Sequence, residues 1–176
     1  MKIDLAPLQS LLLVFEPGEN HTSADSSLAV ELGSAVQLDS SWKVSIYHVN
    51  GDTLEYHFNY LVNLTQSGMP ALESFAGKAV YETTIDSAQG SILMVGGVNK
   101  GLTEVHVNGE KIGCRGYGEH RYDLSQALKP GKNKLEIVYV SVLANYCSGL
   151  QDNSTARRWT DYGPVALGIT GPVTLK

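Results

Sequence analysis

Nearly every periodic segment of the chain alternates apolar and polar residues with a period of two, and no long amphipathic helix is found. That period is the one a half-buried β-strand requires, so the fold must be built from strands that each bury one face. Trp42, Val44 and Ile46 share a face. Leu54, Tyr56, Phe58 and Tyr60 share another, with Asn50-Gly51-Asp52 as the turn between the two runs. Ala79, Tyr81, Thr83 and Ile85 alternate with Lys78, Val80, Glu82 and Thr84, and Ile92 to Val95 is a continuous apolar run suited to a central strand. The strongest local signal is Glu104 to Ile112, where Asn108-Gly109 supplies the two positive φ values of a type I′ hairpin turn. Asp123 is placed to cap one helical turn over 122–128. Lys129-Pro130-Gly131-Lys132-Asn133 then turns the chain into a strand from Leu135 to Val142. Val165 to Ile169 and Val173 to Leu175 read as a final strand pair split by Thr170-Gly171-Pro172. Residues 113–121 and 145–163 lack periodicity and read as two long loops.

Many short strands with turns every eight to twelve residues predict an all-β fold, a sandwich or jelly roll of two antiparallel sheets. Residues 37–176 carry this pattern. Residues 1–36 differ in texture and are expected to be an N-terminal extension, a remnant strand of a preceding module. The 176 residues suit one domain with a core of its own. Only 18% of residues are charged and 43% are hydrophobic, which excludes a disordered or coiled-coil chain. The net charge of -5 and the lack of any basic stripe beyond Arg157-Arg158 argue against a nucleic-acid partner. The longest early apolar run, Leu11 to Phe15, is far short of a membrane span, so no membrane partner is expected.

Chemistry-bearing constellations are sparse. Glycoside hydrolysis needs two carboxylates about 5 to 9 Å apart, and Glu119, Asp152 and Asp161, all in the long loops, are not paired by anything in the sequence. Cys114, His120 and Cys147 do not follow the closely spaced pairs of a zinc site. No Gly-x-Ser-x-Gly elbow occurs, and Gly96 to Gly101 lacks the Lys-Ser/Thr ending of a phosphate loop. No catalytic residue, metal or cofactor is therefore expected. The loops do offer aromatic faces beside polar groups, the chemistry that grips a sugar ring and its hydroxyls. Against that stands the reading in which Trp159 and Tyr162 plug the end of the sandwich and the charges solvate its rim.

The stretches Phe75 to Tyr81, Gly96-Gly97-Val98, Val105 to Gly109, Tyr122-Asp123-Leu124, Leu128 to Leu135 and Gly168 to Val173 together resemble the galactose-binding-like β-sandwich appended to glycoside hydrolases. The chain is most similar to the C-terminal sandwich of α-L-rhamnosidases of glycoside hydrolase family 106, and more distantly to the sugar-binding domain of β-galactosidases and β-glucuronidases. The resemblance spans residues 38–176, and Leu8 to Phe15 looks like the strand ending the preceding module. It implies a non-catalytic carbohydrate-binding or accessory domain of a secreted or periplasmic bacterial enzyme acting on polysaccharide, its catalytic domain lying upstream as a partner. The alternative is a purely structural sandwich bracing that domain without touching sugar. Cys114 to Arg121 departs from the aromatic and proline usual in relatives. In an oxidising compartment Cys114 and Cys147, one in each long loop, are expected to form a disulfide. A shallow saccharide site is expected where the two loops meet, built from Tyr117, His120, Arg121, Trp159 and Asp161, with Trp159 as stacking platform and an affinity of about -4 to -6 kcal/mol.

Overall fold

The computed structural model describes residues 35–38, 41–150, 152–156, 158 and 164–176. Its strands are β1 (Val36–Gln37), β2 (Trp42–His48), β3 (Thr53–Phe58), β4 (Gly77–Asp86), β5 (Ile92–Val95), β6 (Val98–Asn99), β7 (Gly101–Val107), β8 (Glu110–Arg115), β9 (Arg121–Asp123), β10 (Lys132–Ser141), β11 (Gly168–Ile169) and β12 (Val173–Leu175), with short helices α1 (Pro70–Glu73) and α2 (Ala144–Gly149). They form a six-stranded sheet in the order β3-β2-β4-β10-β7-β8, a four-stranded sheet β1-β12-β5-β9 and a two-stranded ribbon β11-β6. Every pairing is antiparallel. This is the all-β sandwich that the alternation requires.

The register explains the core. Leu135, Ile137 and Tyr139 of β10 lie opposite Val107, Val105 and Thr103 of β7, and on the other side opposite Thr83, Tyr81 and Ala79 of β4. Val44 and Ile46 extend the same face into β2. This inner face meets Leu93, Tyr122, Val173 and Leu175 of the smaller sheet, all buried. Trp42 is buried edge-on against Tyr81, their ring centroids 6.4 Å apart. The connection from β3 to β4 delivers Leu64, Leu72 and Phe75 into the same core. The opposite face of the large sheet carries a row of charge pairs, Lys43 with Glu55 at 2.8 Å, Lys134 with Glu82, and Lys111 with Glu104, whose carboxylate also lies 2.7 Å from the His106 Nε2.

Several expectations need correction. The last two strands do not pair with each other: β11 pairs with β6 and β12 with β5 and β1, because the Thr170 to Pro172 turn carries the chain from one sheet to the next. The first long loop is shorter than its sequence suggests. β8 continues to Arg115 after a bulge at Ile112, where the partners of Val105 and His106 are Gly113 and Lys111. The second loop opens as α2, held by Asn145, whose side-chain amide both donates to the Val165 carbonyl at 2.8 Å and accepts from the Val165 N–H at 2.9 Å. The boundary expected at residues 36/37 falls inside β1; residues 1–34 lie outside the described residues.

The expected disulfide is not formed: Cys114 and Cys147 are both free thiols. Without the bulge, Cys114 would face Thr103 on the inner side; with it, Cys114 pairs with Glu104 and lies on the outer face of the edge strand. Cys147 sits on α2, whose Tyr146 packs on His48 of β2 at 5.5 Å between ring centroids. Strand β2 is four spacings of about 4.8 Å from β8, roughly 19 Å, whereas a disulfide tolerates Cα atoms no more than about 7 Å apart.

Candidate functional site

A cleft of about 720 Å³ lies on the outer side of the small sheet at the end away from the Asn108-Gly109 turn. Strand periodicity makes its floor. Leu93, Val95, Val173 and Leu175 are spent on the core, so Met94 and Thr174, which are register partners, face outward into the cleft. One wall is the Gly116 to His120 loop between β8 and β9, and another is the turn Gly96-Gly97 with Lys100 beyond it.

The glycine turn exists because two backbones cross there with no room for side chains. Gly97 has φ +59, and a Cβ on it would stand 2.0 Å from the Gly171 nitrogen. The contact is stitched by the Thr170 N–H to the Gly97 carbonyl at 3.0 Å, and by the Asn99 side chain, which donates to the Gly97 carbonyl at 3.0 Å and to the Thr170 hydroxyl at 2.8 Å.

On the facing wall, Tyr117 stands between Gly116 and Gly118 and is 65% exposed. Arg121 is the cross-strand partner of Met94 and continues the small sheet's outer row beside the cleft. Glu119, also exposed, is the one carboxylate lining the cleft among the described residues, so no carboxylate pair of the hydrolytic kind is assembled there. No group of three His, Cys, Asp or Glu positioned to hold a metal occurs among the described residues.

His120 is the buried member of this wall. It is only 9% exposed, and its backbone carbonyl accepts the Val95 N–H at 2.9 Å, which fastens the loop to β5. Its Nδ1 lies 2.6 Å from the Thr103 hydroxyl, which lies 2.6 Å from the Tyr122 hydroxyl, which donates to the Thr103 carbonyl at 2.9 Å. Burial, with the Arg115 guanidinium second, pushes the imidazole below its ordinary range, so it is neutral at pH 7. Burial likewise pushes the Tyr122 hydroxyl up. Among the described residues no closed-off side-chain nitrogen or oxygen lacks a partner. The His120 Nε2, which makes no hydrogen bond to a described residue, therefore keeps access to the cleft that the residue lines.

Tyr117 and His120 thus line one cleft and Arg121 lies beside it. Trp159 and Asp161 lie outside the described residues. The first turns of the second loop go elsewhere: β10 exits at this end, with the Val142 N–H on the Lys100 carbonyl at 3.2 Å, but α2 then packs toward His48 and Ser74. Sequence reasoning missed Met94, Thr174, Lys100 and Thr103. Only Thr103 left a local trace, as a polar residue in the inward register of Val105 and Val107.

Compared by sequence, the chain matches no family model and no curated protein. Compared by structure, it is similar to the rhamnosidase from Novosphingobium sp. PP1Y, with a TM-score of 0.66 and 23% identity over 86% of this chain and 16% of that one. It is also similar to the β-glucuronidase of Faecalibacterium prausnitzii, at TM-score 0.52 and 16% identity over 80% of this chain and 31% of that one. A GH2 β-galacturonidase from Eisenbergiella tayi gives TM-score 0.52 and 20% identity over 80% and 24% of the two chains. At these identities the likeness is one of fold. The chain spans less than a third of each of these glycoside hydrolases.

Proposed function

We propose that this sandwich is a non-catalytic module of a larger, secreted glycoside hydrolase and that its cleft binds saccharide weakly. The observation that carries the reading is Tyr117, an exposed ring between glycines at the mouth of a cleft whose floor is apolar at Met94 and whose walls are polar at Lys100, Glu119 and His120. A pyranose has the matching pair of surfaces, an apolar face to stack on the phenol and a rim of hydroxyls. The proposed binding set also takes Arg121 and, from the sequence reading alone, Trp159 and Asp161. The fold shared with domains of a rhamnosidase and of GH2 enzymes supports the enzyme context.

The second reading, a brace for a catalytic domain without sugar contact, draws support from exposed apolar residues around α2, Val142, Leu143 and Leu150. Titrating the ¹⁵N-labelled chain with methyl glycosides of L-rhamnose, D-galactose and D-glucuronate separates the two. Binding predicts saturable amide shifts at Gly96, Gly97, Gly116 and Gly118 in the millimolar range, about -4 kcal/mol, lost in Tyr117→Ala. Unmoved cleft amides in all three titrations leave the bracing role.

A further inference from the structure

The Tyr122-Thr103-His120 chain of contacts has fewer protons than arrangements, and counting them fixes the imidazole. Four atoms take part, two hydroxyl oxygens, one carbonyl oxygen and Nδ1, in three contacts of 2.6, 2.6 and 2.9 Å. A carbonyl cannot donate, so the 2.9 Å contact uses the Tyr122 proton. The Tyr122 oxygen is then only an acceptor toward Thr103, and that contact uses the threonine proton. The contact to Nδ1 is left with one possible proton, the ring's own, donated to the Thr103 oxygen. The reverse order, Tyr122 to Thr103 to Nδ1, leaves the Thr103 carbonyl, 2.9 Å from the Tyr122 oxygen, at best a share of the phenol proton, so it makes one good hydrogen bond fewer.

We propose that His120 is a fixed hydrogen-bond acceptor in the cleft: Nδ1 carries the proton, and the bare Nε2 receives a hydroxyl proton from the bound saccharide. The ligand class rests on the reading above; the tautomer does not. A histidine that is 9% exposed, with one nitrogen committed to the fold and the other unpartnered at a cleft, is an acceptor that solvent alone satisfies until a ligand arrives. Such a group reads the presence of a hydroxyl, because a ligand lacking it leaves a buried acceptor unpaired. The groups that face the ring are Thr103 from β7, Arg115 from β8 and Tyr122 from β9, with Lys100, Glu119 and Lys176 along the cleft. The cations among them oppose a second ring proton.

The test is two-bond ¹H–¹⁵N correlation on the histidine rings of the whole chain at pH 7.5, with and without the three methyl glycosides. The expected free-state spectrum has a pyrrole-like Nδ1 and a pyridine-like Nε2 for His120, the latter moving upfield as a hydroxyl proton is shared. Thr103→Val should shift the ring toward the opposite tautomer. The deoxy analogue lacking the accepted hydroxyl should bind about tenfold more weakly than its parent to the wild type and equally to His120→Ala. A pyridine-like Nδ1 in the unmodified protein overturns the proposal whether or not sugar binds. Cleft amides that move while Nε2 stays still also overturn it and leave the saccharide reading standing. No glycoside-induced shift at any cleft amide overturns both.

Discussion

Replacing Asn133 should be far more damaging than its place at a turn suggests. Asn133 is 1% exposed and sits in the inward register of β10, yet its amide makes four hydrogen bonds. Its oxygen accepts from the Lys129 N–H at 2.7 Å and from the Asn108 side chain at 2.8 Å, and its nitrogen donates to the Lys129 and Gly131 carbonyls, both at 2.8 Å. It thereby clamps the Pro130-Gly131 turn to the Asn108-Gly109 hairpin. At about 1 kcal/mol net per bond, and with Lys129 and Gly131 exposed enough to recover water, Asn133→Ala should cost about 2 to 4 kcal/mol. That corresponds to a fall in Tm of roughly 5 to 15 °C for a domain of this size. Urea unfolding followed by tryptophan fluorescence would measure it, with an unchanged m-value showing that the native state is still compact. Asn133→Asp sharpens the test. It keeps the accepting oxygen but turns the other oxygen on two carbonyls, which favours the protonated acid in the fold and raises its pKa above the unfolded value of about 3.9. Its stability relative to wild type is then best below that value and falls as pH rises through the folded pKa. A loss under about 1 kcal/mol for Asn133→Ala, or a pH-independent deficit for Asn133→Asp, would refute the clamp.

Gly97→Ala drives a Cβ to 2.0 Å from the Gly171 nitrogen at φ +59 and should cost about 3 kcal/mol or more, while Gly116→Ala, whose nearest neighbour would be 3.9 Å away, should be close to neutral in the same urea assay. His120, held below its ordinary pKa first by burial and then by Arg115, contributes stability that is complete above the unfolded histidine value of about 6.5 and is lost as pH falls through the lower folded value; the acid side of the stability profile should flatten in His120→Asn. Both thiols should titrate after unfolding without reductant, Cys114 reacting faster than Cys147 in the native protein, and reductant should leave Tm unchanged.

What could be read in advance follows the range of the forces involved. Alternation located β2, β3, β4, β7 and β10 because each strand's face is set by its own residues, and Asn108-Gly109 located its hairpin because φ values of +53 and +85 are a local demand; β9, too short to show a period, was hidden in the loop and helical turn expected over 113–128. Trp42 proved to be core as its partners Val44 and Ile46 imply. The bulge at Ile112 has one local mark, Gly113, because an isolated glycine inside a strand often sits at a bulge, but that glycine opens the stretch that reads as loop. Helix α2 has no apolar period of its own and owes its position to Asn145 gripping Val165, a contact twenty residues distant. The cleft was least legible. Gly96-Gly97, Gly116 to His120 and Pro172 to Thr174 are each recognisable as turn or strand chemistry, and nothing in any one of them records that the other two lie alongside.

The pairing of β1 with β12 also constrains how the molecule is made. Val36 lies opposite Leu175, so the smaller sheet joins the earliest and latest strands described, whereas β2-β3 and β7-β8 of the larger sheet are hairpins between neighbours in the chain. Loop-closure entropy falls lightly on the hairpins and heavily on that last pairing. During synthesis the large sheet can assemble once β10 has emerged from the ribosome, with β5 and β9 already made, but its inner face of Val44, Tyr81, Val105 and Ile137 stays incompletely covered until Val173 and Leu175 arrive. The interval between those two moments is when the nascent chain is most exposed to aggregation and most in need of a chaperone.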